Sequence, residues 1–360
     1  MPSFVRALPL PGRLLVGSTL LFLSAACSGD ASSIVSSTTS DAAASRGGRK
    51  APVDTVVTPT PPPVITPAPT SSLIAGATFW ADPYSSAKAT ADSWRVSRPA
   101  DAVEMDKIAT QGVARWIGNW NTSVQGDVSA MTTTIAAAGA LPVFVAYNIP
   151  QRDCGGYSGS NLTSAQAYRD WITAFANGIG ARRAVVVLEP DALAGMDCLS
   201  AADQQTRLDL LKFAVQAFAS KGGISVYLDA GHPHWQPAAT IAQRLLAAGI
   251  TQAQGFSLNV SNFYLTSDNV SYGSQVSALV GGRHFVIDTG RNGLGPAVDA
   301  QWCNPAGRAL GIRPTTATGN ALVDAFLWIK TPGESDGSCN GAPSAGSWMP
   351  EYALGLAQRG

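Results

Sequence analysis

Ala184-Val-Val-Val-Leu-Glu-Pro-Asp191 is an apolar, β-branched run that stops abruptly at two carboxylates two residues apart. Val185 to Leu188 read as a strand buried on both faces, the kind that parallel sheets contain. Pro190 has no N–H to give to a ladder, so pairing ends there and Asp191 projects from the C-terminal mouth of the strand. In an α/β barrel that rim carries the reacting groups. A plainer reading has Glu189 and Asp191 capping the next helix, and the rest of the chain decides between the two.

Six more runs of the same character end in polar residues: 113–116, 142–147, 224–229, 255–259, 284–288 and 325–330. With 184–189 they make seven strands. Helical periodicity fills most of the intervals, at 128–138, 164–179, 201–220, 237–248 and 268–280. Strand alternating with helix predicts an α/β fold, a parallel sheet with right-handed crossovers, and 73–360 is an ordinary length for one barrel. Seven strands leave a gap in the barrel wall, which suits a groove for a long polymer, unless an eighth strand lies within 72–80.

The strand ends offer Trp116 and Asn119, Tyr147 and Asn148, Glu189 and Asp191, Asp229 and His232, Asn259 and Asn262, Asp288 and Arg291, Lys330 and Glu334. Helix capping needs small acceptors and has no use for Trp, Tyr, Arg or Lys, so the set reads as a carbohydrate-type cleft. Asp153, in Tyr147-Asn-Ile-Pro-Gln-Arg-Asp-Cys154, and Asp336, in Lys330-Thr-Pro-Gly-Glu-Ser-Asp-Gly337, join Asp191 as acids on suitable loops. Breaking a glycosidic bond takes one protonated carboxyl and help for a water or nucleophile on the opposite face. If Asp153 and Asp191 face each other closely, they cannot both ionise easily and one keeps its proton near neutral pH. Taken singly, Asp153 also fits a salt bridge with Arg152 or a loop cap, and Asp336 in Ser-Asp-Gly fits a turn.

Composition narrows the partners. Lys+Arg and Asp+Glu number 24 each, so no basic field is available for nucleic acid or an anionic membrane. Nine Trp and eight Tyr suit sugar rings, although most belong to a core. Arg6 and Arg13 precede the apolar stretch 14–26, which ends in small residues as a secretory signal does. Cys27 follows Leu23-Ser-Ala-Ala26 as in a bacterial lipobox, with Ser24 where Leu is more usual. The chain is therefore expected to be secreted, or exported and lipid-anchored at the cell surface through Cys27. Residues 28–72 are rich in Ser, Thr, Ala and Pro, with seven prolines between Ala51 and Thr70, and read as a disordered tether. In an exported chain Cys154, Cys198, Cys303 and Cys339 are expected to form disulfides, with three pairings open.

Tyr147-Asn-x-Pro-x-Arg-Asp-Cys154, Val187-Leu-Glu-Pro-Asp-Ala-Leu193, Tyr227-Leu-Asp-Ala-Gly-His232, Asn259-Val-Ser-Asn262, Ile287-Asp-Thr-x-Arg-Asn-Gly293, Trp302-Cys-Asn-Pro305 and Phe326-Leu-Trp-Ile-Lys-x-Pro-Gly-Glu-Ser-Asp-Gly337 follow one another in order. Together they resemble the successive motifs of glycoside hydrolase family 6, the inverting cellulases, in its actinobacterial endoglucanase form. The resemblance runs from about Phe79 to Tyr352. It implies a distorted, incomplete, seven-stranded parallel β/α barrel that hydrolyses β-1,4-glucan with inversion and without a metal. It also implies that Asp191 is the general acid and that Asp153 raises its pKa and orders water. Tyr147 then crowds the distorted sugar, and Asp336 is the proposed base, a role that a water relay through Asp153 can replace. Trp116, Trp235, His232, Asn262, Trp302, Lys330 and Glu334 fall where glucose units are held, and the pairs Cys154–Cys198 and Cys303–Cys339 are the family's. Gly290 stands where Ser is more usual, and Trp116-Ile-Gly-Asn-Trp120 departs from the common form, which leaves Trp120 without a carried-over role.

The stretch 292–302 is short and Gly-rich, which reads as an unroofed groove and hence an endo-acting enzyme, a monomer with no separate cellulose-binding module. The rivals are an exo-acting cellobiohydrolase and a non-catalytic glucan-binding protein, the latter disfavoured because no acid is missing. A metal site of Asp229, His232 and His234 lacks the supporting ligand pattern that catalytic zinc requires.

Overall fold

The computed structural model describes residues 73–159, 162 and 164–360. The leader at 1–27 with Cys27, and the tether at 28–72, lie outside the described residues. Strands β1 (Arg115–Gly118), β2 (Val143–Tyr147), β3 (Ala184–Leu188), β4 (Ile224–Asp229), β5 (Gly255–Leu258), β6 (His284–Asp288) and β7 (Val323–Leu327) form one sheet in sequential order, every pair parallel. Helices α1 (Ser86–Trp94) and α2 (Pro99–Ala109) precede β1. Successive strands up to β6 are joined by α3 (Val124–Ala137), α4 (Ala165–Ile179), α5 (Ala201–Ala219), α6 (Ala238–Ala247) and α7 (Thr266–Leu279), and α8 (Pro350–Arg359) follows β7. The β6–β7 connection has no helix and carries Trp302.

Alternation along the buried strands divides the core. Val143, Val145, Val185, Val187, Val286 and Ala325 point into the curled sheet, while Phe144, Val186, Val226, Phe256 and Phe285 pack outward against the helices. A third cluster joins α1, α2 and α8 beneath Trp328, from Met105 and Ile108 to Leu354 and Leu356. These three helices are absent from the sequence reading, yet each carries a start signal. Ser85 caps α1 by accepting from Lys88 N, and Pro99 and Pro350 open α2 and α8.

The expected gap is a seam. Val113 and Trp328 make a single parallel bridge, Ala114 N donating to Trp328 O at 3.0 Å, and toward the mouth β1 and β7 have no further ladder between them. The described part of the 72–80 stretch, 73–80, supplies no eighth strand, because Phe79 makes only an isolated bridge with Leu141. β7 also ends earlier than its apolar run. The N–H groups of Ile329 and Lys330 donate to Asp288, at 3.2 and 3.0 Å, instead of to a neighbouring strand.

Candidate active site

The strand-end polar residues form two groups. Glu189, Asp229 and Asp288 are buried braces whose carboxylates accept backbone N–H groups from adjoining loops. Glu189 takes Asn148 N at 3.0 and 2.9 Å and Ile149 N at 3.1 Å, which fixes the start of the loop that carries Asp153. Asp229 Oδ1 takes Asp191 N at 2.9 Å and Gly231 N at 3.1 Å, and Ser257 Oγ donates to its Oδ2 at 3.0 Å. Asp288 takes Ser261, Gly290, Ile329 and Lys330. Register makes this possible, since Leu188 pairs with Leu228, so that Glu189 and Asp229 each reach the loop after the preceding strand, while Asp288 reaches loops on both sides. Burial pushes Glu189 and Asp229 each up to about 7, and raises Asp288 as well.

The second group faces a cleft of about 1120 Å³. All eleven residues expected there line it: Trp116, Tyr147, Asp153, Asp191, His232, Trp235, Asn262, Trp302, Lys330, Glu334 and Asp336. Glu189 and Asp191 do not cap the following helix. Ser200 does so, accepting from Asp203 N. Instead the chain turns sharply at the end of β3, with φ of 50° at Glu189 and 70° at Asp191. This left-handed backbone is adopted at a small energetic cost, and it sends one carboxyl back into the loop and the other into the cleft. Desolvation first, then the charge of Asp229, then that of Asp153, hold the Asp191 carboxyl well above the usual carboxylate range. The expected Asp153 effect is therefore present but is the smallest of the three.

Asp153 makes no salt bridge with Arg152. Its Oδ2 accepts from Ser158 N and Ser158 Oγ, both at 3.0 Å, and the same hydroxyl lies 3.0 Å from Tyr147 OH. Arg152 turns away to donate to the carbonyls of Tyr147, Ser158 and Gly159, with its guanidinium 4.1 Å from the Tyr147 ring centroid. Two ties hold this loop to that of Asp191. Cys154–Cys198 spans a separation of 44 residues. Buried Arg207 of α5 donates to Pro150 O at 2.9 Å, Gln151 O at 2.8 Å and Ala192 O at 3.3 Å.

On the other wall Asp336 is paired with buried Arg291 at 2.9 Å and accepts Asn304 N at 3.0 Å. Cys303–Cys339, separated by 36 residues, joins the Trp302 and Asp336 loops. Lys330 Nζ donates to Ser335 O at 3.0 Å and lies 3.8 Å from Glu334. Burial lowers the Lys330 pKa and raises that of Glu334. Trp116 anchors its indole N–H on Ile329 O at 2.8 Å and sets its ring edge-on to Tyr147, centroids 5.1 Å apart. Opposite, Trp235 packs over Gly195 and Gly231, and His232 stacks on Tyr264 at 4.4 Å. Burial, then the neighbouring His234, pushes His232 down to about 4, so it is neutral in weak acid. Among the described residues no three His, Cys, Asp or Glu converge as metal ligands.

Sequence reasoning gave no role to Ser158 and Arg207, named Asp229 and Arg291 only as polar strand ends, and did not place Trp120, His234 and Tyr264 in the cleft wall. Asp229 and Arg291 stand inside quoted motifs and were legible as polar strand ends. Arg207 lies mid-helix and carries no local signal. One contact was also unforeseen. Tyr157, on the Asp153 loop, seats against Gly337 and lies 6.3 Å from the Trp302 ring, so the loops after β2 and β7 touch beyond the end of β1.

A curled parallel half-barrel with a proton-holding carboxyl in an aromatic-walled groove is the construction of a glycoside hydrolase. The chain belongs to the glycosyl hydrolases of family 6, whose sequence model matches residues 74–360. It is 44% identical over 269 residues to Endoglucanase A of Cellulomonas fimi, covering 74% of this chain and 58% of that protein. It is 44% identical over 287 residues to Endoglucanase 1 of Streptomyces halstedii, covering 76% and 87%. Among solved structures it is similar to the endoglucanase Cel6 from Mycobacterium tuberculosis in complex with methyl-cellobiosyl-4-deoxy-4-thio-β-D-cellobioside. That match has a TM-score of 0.77 at 46% identity and covers 80% of this chain and 99% of the other.

Proposed function

We propose that this protein is an endo-β-1,4-glucanase that cleaves internal bonds of cellulose or related β-glucans with inversion. The observation that carries the proposal is the Asp191 carboxyl, desolvated and crowded by Asp229 and Asp153, which keeps a proton at the floor of a sugar-sized groove. In this reading Asp191 protonates the leaving oxygen. Asp153, with Ser158, orders the water that attacks from the opposite face. Tyr147 crowds the sugar at the cleavage point. Asp336, held by Arg291, is the candidate base, with a water relay through Asp153 as its substitute. Trp116, Trp235, Trp302, His232, Asn262, Lys330 and Glu334 hold glucose units. The short 292–302 segment and the endoglucanase relatives support internal cleavage. Export, free or through lipid on Cys27, belongs to the same reading and is supported by the leader pattern and two disulfides.

The contact of Tyr157 with Gly337 and Trp302 favours a second reading, an exo-acting cellobiohydrolase with a bridged groove. Viscometry of soluble cellulose set against released reducing ends separates them. Internal cleavage collapses viscosity while few ends appear, and a fall in proportion to the ends would establish the exo reading.

A further inference from the structure

Trp120 is the tryptophan of the cleft lining that the mechanism leaves unused. It stands two residues past the end of β1, is 53% exposed, and lines the same groove as Trp116. An exposed Trp is ordinarily free to turn, but this one is seated. Its ring lies on Gly118, where a methyl group would come within 2.5 Å of the indole. The turn beneath it is locked by Asn121, whose Oδ1 accepts Gly118 N at 3.1 Å and whose Nδ2 donates to Asp127 at 3.0 Å. Arg152, itself tied to the Asp153 loop, sits 5.8 Å from the ring centroid. The ring is thus held against the backbone at Gly118 while half of the residue stays exposed in the groove.

We infer that Trp120 is a fixed platform for one more pyranose ring of the substrate, at the β1 end of the groove beyond the position served by Trp116. The sheet curls so that β4 and β5, which carry Trp235 and Tyr264, lie on the far side from β1. A chain lying between these walls therefore reaches Trp120 at the end away from Trp235. A β-linked glucopyranose presents apolar C–H faces that stack on an indole. Each end of the Asn121 amide already holds one partner within the turn, which fixes that neighbour in the service of the seat. The platform reads ring shape and chain length, and it tolerates a change of linkage in the unit it holds.

This inference rests on the glucanase reading. The test is kcat/KM for cellotriose, cellotetraose, cellopentaose and cellohexaose with wild type, Trp120→Ala, Trp120→Phe and Gly118→Ala. The ratio of the longest to the shortest productive substrate should fall roughly three- to tenfold in Trp120→Ala, an aromatic contact's worth. The loss should begin at one threshold length and be carried largely by KM. Trp120→Phe should restore much of the ratio. Gly118→Ala, which pushes the ring off its seat while keeping it, should reproduce the loss. An equal loss at every length would make Trp120 a prop of the fold and overturn the platform, as would no loss at any length. Wild type inert on all four sugars would overturn the glucanase reading itself, an outcome distinct from either.

Discussion

The backbone N–H of Asp191 donates to Oδ1 of Asp229 at 2.9 Å, so the residue that turns Asp191 into the groove is also the largest charge acting on it. Positioning and proton affinity are therefore set by one contact. Asp229→Asn keeps the acceptor and removes the charge. Because the acid works while protonated, activity is lost as pH rises through the Asp191 pKa. Taking away a negative neighbour lowers that pKa, so the alkaline limb of kcat should move to lower pH. A pH–rate profile on soluble cellulose measures it, and an unmoved limb would refute the coupling.

Asp191→Ala should cost about 10²- to 10⁴-fold in kcat, the usual contribution of a general acid, with the fold intact by circular dichroism. Turnover near that of wild type would remove Asp191 from the mechanism.

Glu189 carries a stability prediction. Its folded pKa of about 7 lies above its ordinary value of 4.5, so its contribution is fully present below about 4.5 and is lost as pH rises through 7. The wild-type Tm should decline across that window, and Glu189→Gln, which no longer titrates, should decline less steeply. Parallel Tm curves for the two proteins would show that Glu189 is already ionised in the fold.

Cys154–Cys198 and Arg207 tie the same two loops, so their effects should couple. Replacing both cysteines by serine releases a loop of 44 residues, worth roughly 4 kcal/mol in the chain-entropy model. Arg207→Met, tolerable alone, should lower kcat far more in the disulfide-free protein than in the oxidised one. Multiplicative losses in a double-mutant cycle would mean that each tie acts independently.

Arg291→Met leaves the Asp336 carboxylate buried without its cation, and should destabilise the protein by about 3–5 kcal/mol in denaturant unfolding. A change under 1 kcal/mol would mean that water reaches Asp336.

The seven strands and the helices of their crossovers were legible because most buried runs are dominated by apolar and β-branched residues and the crossovers between them are long enough to read as helices. The acids were legible because each follows such a run, inside motifs that resemble one family. Helices α1, α2 and α8 escaped because they cover the sheet's underside in short segments, where packing against Trp328 sets the pattern more than a long apolar face does. The strand-end carboxylates looked alike in the sequence. Glu189, Asp229 and Asp288 proved to be braces, and Asp153, Asp191 and Asp336 face the cleft.

By itself, the order of residues determined the parallel architecture, the family and which carboxylates stand at the strand ends and on the loops beyond them, since these depend on local patterning and on spacing along the chain. Tertiary structure alone decided which carboxyl keeps its proton, how the two acid loops are held together, and that Trp120 packs against Gly118. Each of these depends on desolvation or on contact between residues far apart or folded back on one another, and such quantities exist only once the chain encloses a volume that excludes water.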